Sequence, residues 1–244
     1  MKTRLDAELV RRGLARSREA ATDLIAAGNV LVSGMPASKA ATQVDAETSI
    51  TLKDDHAEFV SRGGHKLAGA LDKFTQIDVS GKTALDAGAS TGGFTDVLLK
   101  RGAKKVVAVD VGYGQLAWEL QKDIRVKILD RVNVRNLTAA QVGEEIDLVV
   151  ADLSFISLKL VLPALISVAK EGADFLIMVK PQFEVGKEKL GAGGVVRDVH
   201  LRKEAVVEVA DAAFALTLGT LGVVASPLPG PSGNVEYFLW LRKG

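Results

Sequence analysis

Cysteine is absent from the 244-residue chain, and histidine appears only as His56, His65 and His200, far apart and without ligand-like spacing. The first absence removes disulfides, thiolate catalysis and Cys-based metal sites; the second leaves no metal site to expect. An excess of charge of one sign is missing too. The formal net charge is +1, so affinity for nucleic acid has to come from local patches. No uninterrupted apolar run approaches the roughly 18 residues that a membrane helix needs. The start, Met1-Lys-Thr-Arg-Leu-Asp-Ala-Glu8, puts charges where a signal peptide has its apolar core. These absences predict no membrane insertion and a cytoplasmic address. What remains, 48% hydrophobic and 25% charged, is a globular chain long enough for one large and one small domain.

The most informative stretch is a loop, Asp86-Ala-Gly-Ala-Ser-Thr-Gly-Gly-Phe-Thr95, between the apolar run Thr83-Ala-Leu85 and a helical pattern over 94–101. A strand that turns through glycines into a helix presents bare N–H groups to a small polar ligand. In the G-x-G-x-x-G version of this turn the ligand is a pyrophosphate, but here Asp86 opens the loop and would repel one. An acid at that place attracts a cation. A second acid, Asp110, ends the next apolar run, Val106-Val-Ala-Val-Asp110, where a carboxylate can take both ribose hydroxyls. The pair fits S-adenosyl-L-methionine, with its sulfonium, amino group and ribose. An ordinary glycine turn of an α/β domain is the plainer alternative.

Residues 1–59 read as a separate small domain: two helical patterns, 5–12 and 18–27, then short strands punctuated by Gly28-Asn29 and Ser33-Gly34. Its first twenty residues hold Lys2, Arg4, Arg11, Arg12, Arg16 and Arg18 against Asp6, Glu8 and Glu19. A helix pair with a basic face can grip phosphates; a solvated charged face is the alternative. The polar segment Asp54–Gly64 reads as a linker, with 60–64 the boundary and its two glycines allowing movement. The domain over 65–244 alternates helical patterns with apolar runs at Val106–Asp110, Val126–Asp130, Ile146–Leu153 and Phe175–Lys180. That alternation predicts βαβ units, a parallel sheet, and ligand groups at the carboxyl ends of its strands. Two final runs, starting at Leu221 and Val235, are too close for a helical crossover and predict an antiparallel hairpin at one edge.

Four ionisable residues fall at ends or edges of these elements: Lys66, Asp152, Lys180 and Glu236. Taken singly, a charged residue closing an apolar strand reads as well as a snorkelling surface side chain. As an ordered Lys-Asp-Lys-Glu set they resemble the tetrad of RNA ribose 2′-O-methyltransferases of the FtsJ type. The segment from Arg4 to Gly34 is similar to the alpha-L RNA-binding module. Together with Ser61-Arg-Gly-Gly-His-Lys-Leu67, Gly88–Thr95, Val109-Asp-Val-Gly-Tyr-Gly-Gln115, Ala151-Asp-Leu-Ser-Phe-Ile-Ser157 and Val179-Lys-Pro-Gln-Phe-Glu184, these motifs resemble the TlyA family, ribosomal RNA 2′-O-methyltransferases that also carry the name haemolysin.

The resemblance implies a Rossmann-like methyltransferase sheet with a C-terminal antiparallel hairpin, preceded by a small α+β alpha-L domain. It implies S-adenosyl-L-methionine as cofactor and ribosomal RNA or ribosomal subunits as partner. Arg4, Arg16, Arg18 and Lys39 become candidate RNA contacts. Gly88, Ser90, Gly92 and Gly93 would approach the methionine part, Asp110 the ribose, and Asp130 with Arg131 the adenine edge; for Asp130, a cap on the following turn is the alternative. Asp86, Ala89, Phe94, Tyr113 and Asp152 complete the implied cofactor site. A ribose hydroxyl is a poor nucleophile whose proton must leave or whose oxyanion must be stabilised. Lys180 is expected in that role, Lys66 in positioning the ribose, and Asp152 and Glu236 in holding the lysines. Three rivals stay open: a nicotinamide-dependent oxidoreductase, disfavoured by the acid in the loop; a membrane-active haemolysin; and a catalytically silent rRNA-binding assembly factor. The oligomeric state is not legible in the sequence.

Overall fold

A computed structural model describes residues 3–45, 48–52, 58–186 and 189–244; Lys2, His56 and the 54–57 part of the expected linker lie outside the described residues. The chain divides after Glu58 into two compact units.

The first unit runs β1 (Thr3–Arg4), α1 (Leu5–Arg11), α2 (Arg18–Ala26), β2 (Val30–Val32), β3 (Met35–Pro36), β4 (Gln43–Val44) and β5 (Ile50–Leu52). Ser17 starts α2 by accepting the Ala20 N–H at 3.1 Å. Gly28, at φ +72°, ends it in a conformation that a side chain would strain. Leu5, Leu9, Ala21, Ile25 and Val30 close a small core of their own.

The second unit begins at Phe59, which corrects the linker expected over 60–64. Its first helix, α3 (Arg62–Lys73), already contains Gly63 and Gly64. These glycines serve close packing: a Cβ on Gly64 would sit 2.5 Å from Phe59 Cγ. Phe59 is buried, and the Val60 N–H donates to Asp96 at 3.0 Å.

The chain continues through β6 (Thr83–Ala87), α4 (Gly93–Lys100), β7 (Lys105–Asp110), α5 (Trp118–Gln121), β8 (Val126–Asp130), α6 (Ala139–Val142), β9 (Ile146–Ala151), α7 (Leu162–Val168), β10 (Ala169–Val179), α8 (Pro181–Glu184), α9 (Val199–Phe214), β11 (Leu218–Ala225) and β12 (Tyr237–Lys243). Seven strands form one sheet in the order β11-β12-β10-β9-β6-β7-β8. The run from β10 to β8 is parallel, and β12 is antiparallel to both its neighbours.

Strand periodicity sorts the buried residues onto two faces. Leu85, Val107, Val149, Phe175, Ile177 and Leu239 meet α7 and α9. Ala84, Val106, Leu148, Leu176, Met178 and Phe238 meet α3 and α4. Each buried large side chain contributes about 1.5–3 kcal/mol, so the double-sided burial makes this sheet the rigid frame for whatever stands at its edge.

The antiparallel strand is pinned by one buried acid. Asp174 lies opposite Arg242 in the β10–β12 register and accepts from Trp240 Nε1 at 3.0 Å and Arg242 Nη2 at 2.8 Å, with Lys82 Nζ 3.3 Å from its other oxygen. Asp174→Ala strands these donors and is expected to lower the unfolding free energy by about 3 kcal/mol. Urea denaturation followed by Trp fluorescence checks this; an unchanged midpoint would show that the cluster contributes nothing.

Candidate active site

The site stands at the carboxyl edge of the sheet, and the strand order explains which residues reach it. Asp152 follows β9 and Lys180 follows β10. Glu236 immediately precedes β12, and because that strand runs backwards, its start lies at the same edge as the ends of β9 and β10. These three elements are consecutive in the sheet. Lys66 comes from α3.

Two buried or nearly buried ion pairs result. Lys66 Nζ donates to Glu236 Oε2 at 2.6 Å. Lys180 Nζ lies 2.5 Å from Asp152 Oδ1 and donates to Ser154 Oγ at 2.9 Å. The contact to Asp152 Oδ1 lacks hydrogen-bond alignment, so it acts through charge. Lys66, Lys180 and Glu236 are buried.

Three adjoining cavities share this edge. One, of about 210 Å³, is lined by Lys66, Gly88, Ser90, Gly93, Phe94 and Asp152. A second, of about 510 Å³, includes Gly88, Ser90, Asp110, Gln115, Asn133 and Asp152. The third, of about 440 Å³, includes Ser154, Lys180, Gln182, Asn234 and Glu236. Each ion pair therefore joins a residue of the first cavity to one of the third, and together they form the wall between the two.

The glycine turn is shaped for close approach. Gly88, at φ +87°, has no room for a Cβ, which would meet the Asp152 carbonyl oxygen at 2.6 Å. Gly92, at φ +95°, precedes α4 in the left-handed region, and a Cβ there would collide with Leu116 at 2.8 Å. Asp110 is held by two backbone donors, Ser90 N–H at 2.8 Å and Gly112 N–H at 2.7 Å.

Asp86 is fully buried. Thr95 Oγ1 donates to its Oδ2 at 2.7 Å, while Oδ1 makes no hydrogen bond among the described residues. Burial first, and then the nearby Asp152 and Asp110 charges, push its pKa up to about 7 against the Thr95 hydrogen bond. An acid oxygen without a hydrogen bond in acidic surroundings could hold a cation such as the amino end of S-adenosylmethionine, although Asp86 itself lines none of the three cavities.

Other expected cofactor residues stand apart from the cavities. Ala89 lines the first, but Gly92, Tyr113, Asp130 and Arg131 line none of the three. Asp130 accepts the Gly114 N–H at 2.9 Å, tying β8 to the loop after β7. The Arg131 guanidinium lies 4.3 Å from the centre of the exposed Tyr113 ring.

Sequence reasoning overlooked Gln115 and Asn133, whose loops carry no regular pattern, and Phe155. Phe155 is 91% exposed at φ +64°, an uncommon conformation for a bulky residue. It lines the second and third cavities and packs against Phe183 with ring centres 5.2 Å apart. Exposure and strain together are its signal, and both show only in three dimensions.

In the N-terminal unit, Arg4 and Arg18 are both paired with Asp6, and Arg11 and Arg12 with Glu8. Arg16 and Lys39 are exposed.

A doubly covered seven-stranded sheet with one inserted antiparallel strand and an acid-opened glycine turn defines the methyltransferase class of Rossmann-like folds. The chain belongs to the TlyA family, an FtsJ-like methyltransferase domain joined to an S4 domain of the alpha-L RNA-binding type. The FtsJ-like methyltransferase model matches residues 59–243 and the S4 domain model residues 3–50. The chain is 60% identical over 242 residues to the 16S/23S rRNA (cytidine-2'-O)-methyltransferase TlyA of Mycobacterium tuberculosis, covering 99% of this chain and 90% of that one. It is 37% identical over 239 residues to Hemolysin A of Brachyspira hyodysenteriae, covering 96% and 97% of the two chains. A solved structure from Streptococcus thermophilus, named as a hemolysin, superposes with a TM-score of 0.80 at 38% identity, covering 99% of this chain and 88% of that one. Among the described residues no helix is long and apolar enough to cross a membrane.

The Asp86 geometry fixes a pH effect. An unfolded Asp ionises near pH 4, whereas folded Asp86 resists ionisation up to about pH 7. The folded protein therefore loses stability as pH rises from about 4 to about 7, and the full cost is present above that window. Asp86→Asn is expected to raise the thermal midpoint more at pH 8 than at pH 5. Equal shifts at both pH values in calorimetry would show that no buried charge is being removed.

Proposed function

We propose that this protein transfers a methyl group from S-adenosyl-L-methionine to a ribose 2′-hydroxyl of ribosomal RNA. The observation that carries this reading is the wall of two ion pairs, Lys66–Glu236 and Lys180–Asp152, between a cavity lined by the glycine turn and one of about 440 Å³ that holds Lys180 and Glu236. The rRNA methyltransferase relative at 60% identity supports the substrate class. The N-terminal unit then binds RNA through Arg4, Arg16, Arg18 and Lys39, and the second unit catalyses.

The bound cofactor supplies an electrophilic methyl carbon. Asp86 receives its ammonium, Asp110 its ribose hydroxyls, and Gly88, Ser90, Gly92 and Gly93 keep the turn bare enough for backbone contact. Gln115 and Asn133 complete that wall in place of Asp130 and Arg131. Lys180, drawn to Asp152 and Ser154, acts on the 2′-oxygen as base or as stabiliser of its negative charge. Lys66, held by Glu236, positions the ribose, and most of the remaining acceleration comes from that in-line placement. The open face of Phe155 suits a stacked nucleobase.

Lys180→Ala is expected to cut methyl transfer to unmodified ribosomal subunits by about 10³-fold, with cofactor affinity by calorimetry roughly unchanged. Normal turnover in that variant would remove the assignment, and label arriving on a base nitrogen would remove the 2′-hydroxyl. Cofactor affinity is also expected to rise with pH up to about pH 7, where Asp86 becomes ionised; a flat profile would detach Asp86 from the ammonium.

A further inference from the structure

The arginines of the N-terminal unit are not independent surface charges. Arg4 lays its guanidinium side-on against Asp6, Nε to Oδ1 at 3.1 Å and Nη2 to Oδ2 at 2.9 Å. Arg18 Nη2 reaches the same Oδ2, also at 2.9 Å. The Ala7 N–H fixes Oδ1 at 2.8 Å. The Asp6 side chain is 5% exposed, whereas those of Arg4 and Arg18 are 46% and 60% exposed. The acid therefore sits beneath the surface and holds two cations side by side above it, where free guanidiniums would repel each other. Each guanidinium carries five N–H donors in a plane, and these contacts leave most of them for a ligand.

The neighbouring cluster is built differently. Glu8 also pairs with two arginines, but Arg12 there donates to the carbonyls of Thr48 at 2.8 Å and Asp45 at 3.0 Å. Arg12 thus staples the unit together, while Arg4 and Arg18 are exposed and, among the described residues, their guanidiniums pair with Asp6.

We propose that Asp6 assembles Arg4 and Arg18 into a two-pronged clamp for an RNA phosphodiester, so that a carboxylate raises the affinity of this unit for a polyanion. The proposal rests on the RNA-binding reading above. It opposes charge counting at two points. By charge alone, Asp6→Asn should tighten RNA binding, and Arg4→Lys with Arg18→Lys should leave it unchanged. A lysine, however, offers one compact ammonium and cannot hold Asp6 with one edge and a phosphate with another. In this scheme Asp6 is a positioning residue that acts only through the two arginines.

The test measures binding of the full-length protein to unmodified small and large ribosomal subunits across a salt series, with thermal unfolding of each variant as a fold check. The Arg4→Lys/Arg18→Lys variant is expected to bind about tenfold more weakly, with the slope of log affinity against log salt unchanged because no charge is lost. Asp6→Asn is expected to bind about fivefold more weakly than wild type. Added to Arg4→Ala/Arg18→Ala, it should cause no further loss. Wild-type affinity in the double-lysine variant, or tighter binding by a folded Asp6→Asn variant, overturns the clamp. If Asp6→Asn fails to fold, the lysine pair decides alone. If wild type binds neither subunit, the RNA-binding reading falls and not merely the clamp.

Discussion

A lysine ammonium drawn out of water needs an anion within hydrogen-bond reach, and in this protein that requirement governs the active edge. Lys66 and Lys180 are both buried, and each has one carboxylate, Glu236 at 2.6 Å and Asp152 at 2.5 Å. Losing either acid would leave a dry positive charge, a far larger penalty than the pair itself gains. The four residues come from α3, from the exits of β9 and β10, and from the entrance of β12. Their convergence depends on β12 running against its neighbours. Were it parallel, Glu236 would open at the opposite edge and the Lys66 ammonium would face no anion.

The cofactor side follows the same logic with the sign reversed. Asp86 is an acid kept without a counter-ion, its Oδ1 orphaned beside two further acids. Burial favours the neutral form of this acid up to about pH 7, and a cation at its open oxygen would favour the ionised form. Gly88 and Gly92 are required by the packing of the turn itself, since a Cβ at either would meet the Asp152 carbonyl oxygen or the Leu116 side chain.

Much of this was legible in the sequence. Apolar runs marked β6, β7, β8 and β9, and β6, β7 and β9 stood out because strands buried on both faces carry little polar content. The hairpin of β11 and β12 was visible from the shortness of its connection. Less legible was β10, which starts at Ala169 although Lys170, Glu171 and Gly172 interrupt its apolar run. It is held there by pairing with Ile146, a partner that no local window contains. Gly63 and Gly64 read as a hinge because glycine's freedom is a local property; their use in letting Phe59 pack against α3 is a tertiary one. In the site, Asp110, Asp152 and Lys180 stood at the ends of apolar runs and could be marked as candidates, whereas Lys66, in α3, joined them only through the resemblance. Gln115, Asn133 and Phe155 lie on irregular loops, where spacing carries no information. The pairing of Arg4 and Arg18 on Asp6 was hidden for a related reason: a count of charges cannot tell which cations share an anion.

The place of β12 within the sheet has a temporal side. A ribosome releases this chain from its amino end, so β6 through β10 can assemble while the segment carrying Glu236 is still unsynthesised. Until that segment pairs with β10 and β11, the Lys66 ammonium lacks Glu236. An ion pair whose members stand 170 residues apart in the sequence is closed only by long-range assembly, which local structure cannot anticipate.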